Sequence, residues 1–197
     1  MQMKKKSSFL RGLCILIGIC LLAGGAAVFA SWQWGIQASA KQAAVLADTL
    51  HSLMPDQQNA VPEERRNNAM PALSLNGKDF IGILEMPRYA SVLPVCADWG
   101  ESGKYPCRFS GSIYDGTLQI GGTNQKGQYD FYREISVGDS LFFTDMEGNR
   151  YAFAVTDLRY EKHADQAALS RKEGALTLFI KNNFAFEYLI VSCDIAD

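Results

Sequence analysis

The spacing of apolar residues changes character along this chain. Residues 1–12 carry Lys4, Lys5, Lys6 and Arg11, whereas the run from Leu13 to Ser31 contains no charge. Such a run is long enough to cross a bilayer as a helix, and Trp32 and Trp34 follow it where interfacial aromatics belong. The next cation after Arg11 is Lys41, so the positive-inside rule predicts a cytoplasmic tail at 1–12, a single-pass signal anchor at 13–31, and the rest of the chain outside the cell. The competing reading is a cleaved signal peptide, with Val28 and Ala30 as the small residues of a cleavage site. Signal peptides usually have an apolar core of about 7–15 residues, shorter than this run.

From Gln37 to Met54 the residues Ala40, Ala43, Ala44, Ala47, Leu50 and Leu53 recur at three- and four-residue intervals, the period of an amphipathic helix. Pro55 should end it, because proline lacks the N–H donor and disfavours helical geometry in the residue before it. Asp56 to Ala72, with Glu63, Glu64, Arg65, Arg66, Asn67 and Asn68, reads as a polar linker. Residues 32–72 are therefore expected to be a stalk helix and linker. From Leu73 the period shortens to that of strands. Phe80–Met86, Thr117–Ile120, Ser140–Thr144, Tyr151–Leu158, Leu176–Ile180 and Tyr188–Cys193 are the expected strands, with a hairpin loop at Asp145–Asn149 and a short helix at Ala164–Ser170. Residues 73–197 are expected to be a mostly antiparallel barrel or sandwich.

Composition narrows the function. With 197 residues, 48% of them hydrophobic, the chain can supply one membrane segment and one ordinary core. A formal net charge of -2 with acids and bases interspersed gives no field that draws nucleic acid. Cys14 and Cys20 lie in the apolar run, leaving Cys96, Cys107 and Cys193 in the domain. The cysteines form no CxxC pair and the histidines, His51 and His163, are distant from each other, so the spacing of a zinc site is missing. Outside the cell a Cys96–Cys107 disulfide is one arrangement, Cys107–Cys193 a second, and buried thiols a third.

Three segments carry a resemblance. Ile81-Gly82-Ile83-Leu84-Glu85-Met86-Pro87, followed by Leu93-Pro94-Val95, resembles the opening of sortase domains. Leu118-Gln119-Ile120-Gly121-Gly122-Thr123-Asn124, with Phe131, Ile135 and Gly138-Asp139 downstream, looks like the stretch around the sortase catalytic histidine. Leu176-Thr177-Leu178-Phe179-Ile180-Lys181 and Tyr188-Leu189-Ile190-Val191 resemble the nucleophile strand and its arginine-bearing neighbour. The order agrees across residues 80–195, nearest to the class B or class D flavour. The resemblance implies a closed sortase-type β-barrel with short helices. It also implies a cell-surface cysteine transpeptidase of Gram-positive bacteria that cuts a sorting signal and joins the protein to peptidoglycan or a pilin.

The mechanism so implied needs a thiolate nucleophile, a histidine as proton shuttle and an arginine for the oxyanion. At the histidine position stands Thr123, whose hydroxyl does not titrate near neutral pH. At the cysteine position stands Lys181, protonated at neutral pH unless strongly desolvated. At the arginine position stands Tyr188, which offers one hydroxyl and no fixed charge. No catalytic residue is expected at these positions. The expectation is a membrane-anchored sortase-like protein that needs no cofactor or metal and binds a peptide, a cell-wall component or a protein partner in the vestigial cleft. Asn124, Lys181 and Asn182 are the expected binding residues. The rival is an active transpeptidase with a displaced nucleophile, Cys107 or Cys193, served by His163. A third reading is a structural element of a surface assembly, its groove closed by Phe184, Phe186 or Tyr188. Lys181 itself either faces a ligand, lies in solvent or pairs with an acid such as Glu187.

Overall fold

A computed structural model describes residues 3–63, 69–101, 103–162, 174–185 and 187–196, with backbone alone inside the first helix for residues 3–14, 32–37 and 39. The expected helix at Ala164–Ser170, like His163, lies outside the described residues. The chain divides into two compact units, Met1–Ala38 and Ser39–Asp197, with helix α1 spanning Met3–Leu53.

In the first unit the apolar run is helical, and Ile15, Leu16, Ile19, Leu21 and Leu22 are exposed. Among the described residues no helix is long and apolar enough to cross a membrane.

In the second unit the expected amphipathic helix is present and ends at Leu53, before Pro55. It is not a free stalk. Ala43, Leu46, Ala47 and Leu50 are buried, and Leu46 and Leu50 join a cluster with Phe80, Ile83, Cys96 and Cys107 on the barrel. The apolar stripe is spent on covering sheet, as such stripes usually are. The compact unit accordingly begins at Ser39 rather than at residue 73.

The strands are β1 (Gln58–Ala60), β2 (Leu73–Leu75), β3 (Lys78–Met86), β4 (Ser91–Cys96), β5 (Cys107–Ser110), β6 (Leu118–Thr123), β7 (Ser140–Asp145), β8 (Asn149–Lys162), β9 (Leu176–Asn182) and β10 (Glu187–Ile195). Pairing runs β3-β4-β5-β6-β9-β10-β8-β7 and returns from β7 to β3, which closes an eight-stranded barrel. Closure removes the open edges that a flat sheet would present. β1 adds to β8 in parallel and β2 to β3 antiparallel. Two pairings within the ring are parallel, β4 with β5 and β6 with β9.

Period-2 alternation assigns the two faces of the wall. Leu176, Leu178 and Ile180 of β9 and Leu189, Val191 and Cys193 of β10 fill the interior with Leu118, Ile120, Tyr114, Phe143 and Phe153. Gly121, Thr123, Phe179, Lys181 and Tyr188 therefore fall on the opposite, outer face.

A buried carboxylate ties the turn before β7 to the segment after β3. Asp139 accepts hydrogen bonds from Arg88, from the Tyr89 hydroxyl and from the Ser136 N–H. Burial pushes the Asp139 carboxyl up, but those donors outweigh it and hold the group below the usual carboxylate range. Burial, then the contact with Asp139, pushes the Tyr89 phenol up to about 12.

Candidate functional site

β6 and β9 run parallel with Thr123 opposite Lys181, and β9 and β10 run antiparallel with Lys181 opposite Tyr188. The three positions singled out in the sequence thus form one row across adjacent strands, all on the outer face. Strand spacing of about 4.8 Å puts neighbours in the row within reach of one another.

Two residues away on the same face lies an apolar row, with Gly121 opposite Phe179 and Phe179 opposite Ile190. Trp99, at the start of a 3-10 turn over Trp99–Glu101, lies on Gly121: a Cβ there would come within 2.1 Å of the indole. Glycine is needed at 121 because the ring occupies the space of a side chain. Trp99 meets Phe109 edge-on at 5.2 Å between centroids, and Phe109 meets Phe179 at 5.8 Å. These rings and the polar row surround a cleft of about 250 Å³, lined by Trp99, Phe109, Thr123, Phe179, Lys181 and Tyr188 among others. The next glycine serves the opposite face, where a Cβ on Gly122 would strike the Tyr129 ring at 2.6 Å.

The backbone at the head of the row is held firmly. The Thr123 N–H donates to Gln128 Oε1 at 2.8 Å, and the Thr123 carbonyl accepts from the Tyr129 N–H at 3.1 Å. The Thr123 Oγ1 atom is buried and has no hydrogen-bond partner among the described residues. Lys181 is exposed at the cleft and its ammonium pairs with no carboxylate among the described residues. Glu187, an expected partner for it, accepts instead from Asn182 Nδ2 at 3.1 Å.

Asn124 and Asn182, the expected ligand-binding amides, hydrogen-bond with each other and with the β9–β10 turn. Asn124 Nδ2 donates to Asn182 Oδ1 at 3.1 Å, and Asn124 Oδ1 accepts from the Asn183 N–H at 3.2 Å. Asn182 is 1% exposed and its Oδ1 also accepts from the Phe184 N–H. These contacts join the ends of β6 and β9 and cap the β9–β10 turn. Asn183, beside them, lines the cleft.

The structure separates the thiols from the row. Cys107 is buried under α1 in the outer cluster, whereas Cys193 points into the barrel interior. Burial, then Asp194, pushes the Cys193 thiol above its ordinary value. The wall of the barrel lies between Cys107 and Cys193, which excludes a disulfide between them. Of the groove-closing candidates, Phe184 is 80% exposed and Phe186 lies outside the described residues, while Tyr188 forms one wall of the cleft. Among the described residues no group of three or more His, Cys, Asp or Glu could hold a metal ion.

Sequence reasoning missed Trp99, Phe109 and the part played by Gly121. The one signal for Trp99 was a large aromatic in a short polar stretch, Asp98-Trp99-Gly100-Glu101-Ser102-Gly103. Nothing in its spacing connects it to β6.

No protein-family model matches the chain, and no curated protein matches it in sequence. Solved structures do match. Sortase A from Corynebacterium diphtheriae is 15% identical with a TM-score of 0.52, the match covering 82% of this chain and 84% of that one. A lid mutant of sortase A from the same organism is 17% identical with a TM-score of 0.51, covering 61% of this chain and 72% of that one. Sortase C1 from Streptococcus agalactiae is 14% identical with a TM-score of 0.51, covering 63% and 71%. At these identities the likeness is one of fold, and the fold of this chain is the sortase-like eight-stranded barrel.

Proposed function

We propose that this chain is a membrane-anchored, extracytoplasmic sortase-like protein without transpeptidase activity, which binds a peptide, a cell-wall component or a protein partner in the cleft beside Lys181. The observation that carries the reading is the row Thr123–Lys181–Tyr188 converging on an aromatic-lined cleft. A lysine beside the four aromatic rings of Trp99, Phe109, Phe179 and Tyr188 suits a ligand with an apolar group and an anionic one. The side chains of Thr123, Lys181 and Tyr188 supply no thiolate, no imidazole and no guanidinium. The rival reading, a nucleophile displaced to Cys107 or Cys193, has less support, because both thiols are buried away from the row.

Binding is tested with an LPxTG-like peptide and with a muropeptide, each titrated calorimetrically against the full chain. Lys181→Glu is expected to weaken whichever probe binds by tenfold or more, because it replaces an attractive charge with a repulsive one. Trp99→Ala should weaken the same probe by removing one wall of the cleft. Unchanged affinity in both variants would rule the cleft out as the binding surface.

The proposed orientation rests on the basic residues before Leu13 and the uncharged run after them. Protease added to intact protoplasts is expected to remove the barrel and spare the first residues. Full protection of the barrel in protoplasts, with cleavage after lysis, would reverse the orientation.

A further inference from the structure

Cys96 closes β4 and Cys107 opens β5, and the two are register partners where these strands pair in parallel. The Cys96 N–H donates to the Pro106 carbonyl at 2.9 Å, which fixes the strands together at this point. Paired strands lie about 4.8 Å apart, inside the range of about 4.4–6.8 Å that disulfides span between Cα atoms. Parallel register partners also point to the same face. Both side chains join one cluster, beneath Leu46 and Leu50 of α1 and beside Phe80, at 1% and 0% exposure. Residues 97–106, which these cysteines bracket, carry Trp99 onto Gly121 and Gly103 into the cleft lining.

We propose that Cys96 and Cys107 form a disulfide when the chain folds in an oxidising compartment, and that this bond staples the base of the loop that holds Trp99 over the cleft. The bond forms by exchange with a disulfide-bearing oxidant such as oxidised glutathione or a thiol–disulfide oxidoreductase. One cysteine attacks as thiolate to give a mixed disulfide, and the second displaces the carrier thiol. Two S–H bonds are lost and one S–S bond is made. The oxidant takes the two electrons and two protons and leaves as two thiols. Because both thiols are buried, exchange belongs to folding, and the native dithiol oxidises slowly. The crosslink closes a short loop and removes freedom from the unfolded chain. Trp99 is thereby held at the cleft through a covalent base instead of through packing alone. Formation of the bond in the cell rests on the extracytoplasmic placement proposed above, whereas the pairing itself does not.

The full chain, reduced in denaturant and refolded in a glutathione redox buffer, is alkylated under denaturing conditions and digested with trypsin. Cleavage after Arg88, Lys104 and Arg108 separates the cysteines into residues 89–104 and 105–108. The expected product is these two peptides joined, about 2 Da lighter than their sum as thiols, with Cys193 alkylated. A chain nicked at Lys104 should likewise run as one band until it is reduced. Cys193→Ala should keep the link, and Cys96→Ala should leave Cys107 alkylated. The nicking result on the wild-type chain stands even where the Cys96→Ala variant fails to refold. Alkylation of both Cys96 and Cys107 after refolding, or a link made through Cys14, Cys20 or Cys193, overturns the pairing. A link that forms on refolding but is missing from protein taken directly from cells would instead count against the proposed location.

Discussion

Purified full-length protein is expected to leave an LPxTG-like sorting peptide uncut, while the triple variant Thr123→His, Lys181→Cys, Tyr188→Arg cleaves it in a thiol-dependent way. The reason is positional. Lys181 is the register partner of both Thr123 on β6 and Tyr188 on β10, so a thiol at 181 would stand between an imidazole and a guanidinium on adjacent strands. Restoring the thiol alone should yield at most a slow acyl-enzyme. Protonation of the leaving amine is worth about 10²–10⁴-fold in rate and support of the oxyanion about 10²–10³-fold, and groups that act as a unit are strongly non-additive. The triple variant should therefore exceed Lys181→Cys by roughly 10²-fold or more in single-turnover cleavage. The discriminating measurement is the wild-type control. Turnover by the unaltered chain that disappears in Cys107→Ala or Cys193→Ala would mean that the chemistry has moved elsewhere on the barrel.

The second expectation concerns stability. Asp145→Ala should lower the free energy of unfolding by about 3–5 kcal/mol, because it removes several hydrogen bonds to a buried carboxylate, each worth about 1.5–3 kcal/mol and partly offset where the turn N–H groups regain water. Asp145 is fully buried at the end of β7. Its Oδ1 accepts from the Glu147 and Asn149 N–H groups, each at 2.9 Å, and its Oδ2 from Asn149 Nδ2 at 2.9 Å and from the Tyr114 and Tyr151 hydroxyls at 3.1 and 3.4 Å. The carboxylate shapes the turn into β8, where Gly148 takes φ +84. β7 is also the strand that returns the ring to β3, so loosening this turn loosens barrel closure. Asp145→Asn keeps one acceptor oxygen and should cost less than the alanine change. Urea unfolding followed by circular dichroism decides it. A midpoint for Asp145→Ala equal to that of the wild type would show that the tyrosines and the turn find other partners.

The alternating runs Phe80–Met86, Ser140–Thr144, Tyr151–Leu158, Leu176–Ile180 and Tyr188–Cys193 were legible as strands because burial on one face imposes a period of two on the sequence itself. β3, β7, β8, β9 and β10 lie over those runs, and β8 continues beyond its run to Lys162. β4 and β5 were harder to see in the residues. β4 contains Pro94, which removes a donor, and β5 is four residues long, so both persist because neighbouring strands hold them and not because of any preference of their own. The same limit applied to the helix after Gln37. Its apolar stripe was plain, yet periodicity says that a face is buried and not against what, and only the fold assigned it to Phe80, Cys96 and Cys107.

The candidate site divides in the same manner. Thr123, Lys181 and Tyr188 could be picked from the linear order of motifs, since Thr123 and Lys181 follow recognisable runs and Tyr188 opens one. That they form one row depends on β6 and β9 being parallel neighbours although 52 residues lie between Thr123 and the start of β9 at Leu176, a long-range pairing that no local pattern encodes. Trp99 over Gly121, the internal use of Asn124 and Asn182, and the placement of Cys107 and Cys193 on opposite faces of the wall were likewise decided by the tertiary structure. The physical reason is common to all of them. Local sequence sets which face of a strand is apolar, while the order and stagger of strands around a closed barrel decide which side chains on that face become neighbours.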